Sequence, residues 1–169
     1  MSNVSQFIGS GWVPLETIEL TGAVTTVDFD SNIDDTFNNY VLTGTHTLSG
    51  SSNIYCRLKK DDPSPIITAG YRVVFTNPSA TTNSTSSSQS VAYISQYSGS
   101  FITYFMNLRS SDAFKSIVSK GTGYTGGTVI ALGYNNALTD ASIINGIQIL
   151  LSSGNINTGK FTLYGIKEL

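Results

Sequence analysis

Apolar and polar positions alternate with a period of two along much of the chain, the spacing of a strand with one buried face. In Thr17-Ile18-Glu19-Leu20 the apolar Ile18 and Leu20 share a face, and in Val24 to Phe29 the pair Val27 and Phe29 does the same, with Thr21-Gly22-Ala23 between the two segments. Asn39 to Gly44 and Asn53 to Leu58 repeat the pattern on either side of the Gly/Ser-rich turn Leu48 to Ser52. Cys56 alternates with Ile54 and Leu58, the position of a buried small apolar residue. Asp61-Asp62-Pro63-Ser64-Pro65 marks a loop, because proline has no amide hydrogen for a central ladder. Tyr71 to Thr76 suits a strand or a short helix. Asn77 to Ser90, rich in Ser, Thr and Asn without a hydrophobic period, suits a long loop that offers a contact surface.

Val91 to Ile94, Ser100 to Leu108 and Phe114 to Ser119 are further strands, and the glycine-rich Gly121 to Thr128 connects them to a strand at Val129 to Tyr134. Ile143 to Leu151 and Lys160 to Ile166 close the chain, separated by the loop Ser152 to Gly159, so that they pair or lie in neighbouring sheets. No amphipathic helix longer than two turns stands out. About nine to eleven short strands with regular turn signals predict an all-β, antiparallel two-sheet sandwich. The expected organisation is an N-terminal arm over residues 1–15 and a single sandwich domain over 16–169.

Composition agrees with that class. Of 169 residues, 24 are Ser, 20 Thr, 13 Asn and 16 Gly, types that favour turns and strands over helices. Lys and Arg number 9 against 11 Asp and Glu, a net charge of −2 with only 12% of residues charged, so counterion release gives no hold on nucleic acid. No apolar run approaches the roughly 20 residues of a membrane helix, so membrane insertion is not expected. Met1 to Gln6 has no basic segment followed by an apolar one, which predicts synthesis in a cytoplasm. The single Cys56 excludes an intrachain disulfide and a cysteine-based zinc cage.

Candidate chemistry is sparse. His46, the one histidine, has no Gly-x-Ser-x-Gly elbow to complete a triad. Asp28/Asp30, Asp34/Asp35 and Asp61/Asp62 are carboxylate pairs of the kind glycosidases need, but they fall in polar turns where Asp bonds its own backbone. Asp28 to Asp35 also offers oxygen ligands for Ca²⁺, without the glycine and glutamate of an EF-hand loop. Gly121 to Thr128 lacks the lysine and helix of a phosphate-binding loop. No catalytic residue, metal or cofactor is expected. Nine tyrosines raise the alternative of sugar stacking, with Tyr97 and Tyr124 as the candidate glycan contacts in loops, whereas Tyr40, Tyr55, Tyr104 and Tyr164 fit half-buried sheet positions. Phe7, Ile8 and Trp12, apolar and outside the first expected strand, are the candidate interface.

Two stretches carry a resemblance. Gly11-Trp12-Val13-Pro14-Leu15-Glu16-Thr17-Ile18, with Val27-Asp28-Phe29 and Tyr40-Val41-Leu42 after it, resembles the start of accessory virion proteins of tailed bacteriophages, especially those of marine cyanobacteria. Ile144 to Ile149, Ser153 to Ile156 and Gly159 to Ile166 resemble their C-terminal strand pair, while the middle of the chain matches only in strand rhythm. The resemblance implies a jelly-roll-like sandwich, non-enzymatic, that decorates a capsid or forms a tail appendage. It implies assembly as a homo-oligomer such as a trimer, attachment to other virion proteins, and location in the virion after synthesis in the bacterial host. The alternative within that setting is a carbohydrate-binding module that recognises a host surface glycan.

Overall fold

The computed structural model describes residues 11–60, 66–75, 86–89 and 92–167. Twelve strands form two antiparallel sheets and no helix is present among the described residues, so the chain is an all-β, jelly-roll-like sandwich. The strands are β1 (Trp12–Leu20), β2 (Thr26–Phe29), β3 (Asn39–Leu48), β4 (Asn53–Lys60), β5 (Tyr71–Phe75) and β6 (Ser86–Gln89). They continue with β7 (Ala92–Gln96), β8 (Ser98–Met106), β9 (Lys115–Thr125), β10 (Thr128–Leu138), β11 (Ile144–Leu151) and β12 (Ile156–Ile166). The larger sheet has the order β1-β12-β3-β8-β9-β10-β5-β6 and the smaller β2-β11-β4-β7. In each sheet a C-terminal strand is inserted between two N-terminal ones, β12 between β1 and β3 and β11 between β2 and β4. Neither sheet can therefore be completed until β11 and β12 are in place.

The core lies between the sheets, where Phe29, Leu42, Ile54, Leu58, Ile94, Phe105, Ile117, Ile147, Phe161 and Leu163 are buried. Inward positions alternate large and small side chains across the larger sheet. Phe161, Gly44, Phe101 and Gly121 stand in register on β12, β3, β8 and β9. A Cβ on Gly44 would fall 2.5 Å from the Phe101 ring and 2.9 Å from Phe161, so the missing side chain is what lets both rings lie against the backbone. The next inward row is Leu20, Gly159, His46, Gly99 and Gly123.

Several boundaries differ from the sequence pattern, each for a local reason. Residues 12–15, expected as the end of an N-terminal arm, belong to β1, which pairs with β12 from Trp12↔Ile166 onward; residues 1–10 lie outside the described residues. A register shift between Pro14 and Glu16 breaks the period-two alternation and hides this half of the strand. β1 is an edge strand, where Pro14 costs no ladder bond. The expected loop from Asn77 to Ser90 contains β6, which pairs with β5; the rest of it, like Phe7, Ile8 and the Asp61/Asp62 pair, lies outside the described residues. Tyr71–Phe75 is a strand and not a helix. The glycine-rich connection is mostly ladder: β9 runs through Gly121 and Gly123, and the turn is Gly126-Gly127, with φ of 56° and 83° that suit glycine. Ile144–Leu151 and Ile156–Ile166 lie in different sheets.

Tyr97 links the sheets. It is the single residue between β7 of the smaller sheet and β8 of the larger, and it turns the chain with φ 60°. Both polar groups of its backbone are held, the amide donating to the Ser52 carbonyl at 2.9 Å and the carbonyl accepting from His46 Nε2 at 2.7 Å. Beyond β8, Lys115 points inward and is fully buried; its amine donates to the carbonyls of Ser110 and Ala113, closing the loop before β9 and leaving Phe114 64% exposed.

Candidate ligand-binding face

The outer face of the larger sheet carries an aromatic group whose members the sequence kept apart, Trp12 as a candidate interface residue and Tyr104 and Tyr164 as half-buried sheet positions. Tyr164, Val41 and Tyr104 are in register on β12, β3 and β8. Period two points these side chains away from the core, since Leu42, Phe105 and Leu163 beside them are the core residues. The Trp12 ring meets Tyr164 at 5.6 Å and Tyr104 at 6.1 Å between centroids, the second contact edge-on. Val41 is fully buried although it is not part of the core cluster, and the rings from both sides close over it. Trp12 itself remains 42% exposed, so the group ends in an open indole surface.

Hydroxyls flank the rings in rows across the same face. Thr17, Thr162 and Thr43 are in register, and Thr17 Oγ1 lies 3.0 Å from Thr162 Oγ1. Further along, Thr47 bonds Thr158 at 2.7 Å and Ser100 contacts Thr122 at 3.2 Å. A groove of about 380 Å³ is lined by Glu19, Thr45, Thr47, Thr158 and Lys160. A second, of about 590 Å³, runs along β9 and β10 past Val118, Lys120, Ala131, Gly133 and Asn135. Aromatic faces beside hydroxyls, each able to donate and to accept, suit a ligand that has both C–H surface and its own hydroxyls.

The sequence candidates divide. Trp12 belongs to this group. Tyr124, 59% exposed, lies on the same face at the tip of the β9–β10 hairpin, three outward positions beyond Val118, the register partner of Tyr104, or roughly 20 Å along the strand. Tyr97 serves the sheet-to-sheet link, so Tyr97 and Tyr124 do not join Trp12 in one site. Tyr104 and Tyr164 are half-buried as their strand positions suggest, but nothing in the residue order shows that Trp12 of β1 lies against both.

The other candidates are tied into the framework. His46 is 5% exposed, points inward between Phe101 and Phe161, and donates from Nε2 to Tyr97; burial holds its pKa below the ordinary value against the opposing hydrogen bond. Cys56 is fully buried, and burial pushes its thiol pKa up. Lys59 Nζ sits 2.6 Å from Asp28 and 2.7 Å from Asp30. Burial raises the Asp28 pKa, but bonds from Lys59 and Gln148 outweigh it and the carboxyl lies below its usual value. Asp34 accepts from the Thr36 amide at 2.9 Å, and Asp35 accepts from Arg109 Nε at 3.0 Å. The carboxylates read as oxygen ligands for Ca²⁺ thus face cations and amides, and no group of three or more metal-ligating side chains is assembled among the described residues.

No protein-family model matches the chain, and no curated protein matches it. Among solved structures it is similar to the galectin LEC-6 of Caenorhabditis elegans, with 14% identity over 85% of this chain and 94% of that one, at a TM-score of 0.39.

Proposed function

We propose that the protein is a non-enzymatic carbohydrate-binding sandwich whose contact surface is the outer face of the larger sheet. The observation that supports this most is the Trp12 ring set on Tyr164 and Tyr104, half open to solvent and bordered by threonine hydroxyls. A sugar presents an apolar C–H face to such rings and hydroxyls to the rows beside them. A non-enzymatic role fits the placement of His46 and Cys56 in the interior and of Asp28, Asp30 and Asp35 against Lys59 and Arg109. Screening the protein on a glycan array, followed by calorimetry of the strongest ligand with the wild type and Trp12→Ala, tests the reading. Binding that Trp12→Ala abolishes supports it, and a blank array at high protein concentration rejects it.

A second reading is attachment to other virion proteins of a tailed bacteriophage, in keeping with the resemblance at both ends of the chain. The observation that favours it is the position of Trp12 on β1, an edge strand with one side unpaired within the sheet, next to the exposed indole. In that setting the sandwich forms a homo-oligomer in a capsid decoration or tail appendage, and glycan binding is its host-recognition function. Gold-labelled antibody on intact particles distinguishes head from tail, and particles without label reject the virion location.

A further inference from the structure

We infer that the ligand of this face is an acidic glycan that lies on the aromatic group at one end and is held at the other by Lys120 and Arg72, on either side of Val118 and Asn135; the inference rests on the carbohydrate-binding reading above. The protein as a whole is acidic, with a net charge of −2. Its charges are nevertheless segregated. The adjacent strands β8, β9, β10, β5 and β6 contain no Asp or Glu. Their cations are Lys115, buried and engaged with two carbonyls, and the exposed Lys120 and Arg72. Among the described residues neither Lys120 nor Arg72 has a carboxylate partner, whereas Lys59, Arg109 and Lys160 each have one.

The register places the two cations around a continuous track. Tyr164, Val41, Tyr104, Val118 and Asn135 form one row across the sheet. Lys120 stands one outward position to one side of Val118, in the row of Ile102 and Gly133. Arg72 pairs with Ala137, one outward position to the other side of Asn135. Gly133 has no side chain opposite Lys120, and the groove along β9 and β10 opens there. From β1, which carries Trp12, four strand spacings, roughly 19 Å, reach Lys120 on β9, and six, roughly 29 Å, reach Arg72 on β5. That length suits an extended oligosaccharide whose sugar faces lie on the rings and whose carboxylates reach the amine and the guanidinium. Two cations give too shallow a salt dependence for a nucleic-acid site.

The test is an array holding neutral, carboxylated and sulfated glycans together with a single-stranded DNA oligomer, probed with wild type, Trp12→Ala, and the doubly substituted Lys120→Gln, Arg72→Gln protein. Each variant is checked for its β-type circular dichroism. The expected result is that hits concentrate among carboxylated glycans, that the double variant binds them roughly ten-fold more weakly at low salt with a flatter salt dependence, and that Trp12→Ala removes binding altogether. Hits among neutral glycans with the double variant unaffected overturn the inference and leave the carbohydrate reading standing. No glycan hits at all reject both. Tighter binding of DNA than of any glycan assigns the cations to another polymer and overturns the acidic-glycan assignment.

Discussion

His46 Nε2 on β3 lies 2.7 Å from the carbonyl oxygen of Tyr97, the residue that carries the chain from the smaller sheet to the larger. The carbonyl can only accept, so Nε2 carries the hydrogen, while burial disfavours a second proton on Nδ1, which has no hydrogen-bond partner. Tyr97 holds φ 60°, a conformation that a tyrosine adopts at a cost, and the bond from His46 is part of what keeps it there.

A pH dependence follows. Burial lowers the His46 pKa below its ordinary 6.5, so above that value the ring is neutral in both the folded and unfolded states and the full stability is present. As pH falls below 6.5 the unfolded chain binds a proton that the folded ring refuses, and stability declines. The lowered carboxyls of Asp28, Asp34 and Asp140 act in a separate window, losing their contribution only as pH falls past 3.8. Urea midpoints should therefore drop between pH 7.5 and 5 for the wild type. His46→Phe should begin lower at pH 7.5 and stay flat over that interval.

Trp12 and Val41 should separate binding from stability. Trp12→Ala removes an exposed ring with two aromatic contacts and should cost about 1 kcal/mol, with the fold intact. Val41→Ala opens a void beneath Tyr104 and Tyr164 and should cost about 2 kcal/mol. Denaturant unfolding of both, beside the array assay, checks the ordering; equal costs would mean that the rings do not cover Val41.

Gly44 should tolerate no side chain. Gly44→Val sets atoms within 2.5 Å of the Phe101 ring and should destabilise by about 3 kcal/mol or more. Adding Phe101→Leu should recover part of the loss, because the ring in the way is smaller. A double variant no more stable than Gly44→Val alone would place the conflict elsewhere.

Cys56 should resist thiol reagents while the protein is folded. Burial raises its pKa and closes off access, so labelling at pH 8 should be negligible in buffer and complete in urea. The labelled fraction then reports unfolding directly, since the chain has a single cysteine.

The strands of the sandwich were legible because one face of each is buried and the period of two survives in the residue order. Ile54, Cys56 and Leu58 on β4 are an example, with all three side chains inward and fully buried. Where a bulge shifts the period, as between Pro14 and Glu16, the strand was only half visible. Lys115 shows the opposite failure, a charged residue at an inward position, held there by two carbonyl partners and favoured by the charge of Asp140.

Sequence by itself determined the all-β class, the buried Cys56, the polar and weakly charged surface, and the separation of Ile144–Leu151 from Ile156–Ile166 by a turn. Only the tertiary structure decided that β12 enters between β1 and β3, because the pairing partners lie more than a hundred residues apart and no local pattern encodes them. That insertion brings Trp12 onto Tyr164 and Tyr104 and makes one surface from three aromatic residues that the chain order keeps apart. The same registry gathers Lys120 and Arg72 onto an acid-free half-sheet, a segregation of charge that the net value of −2 conceals.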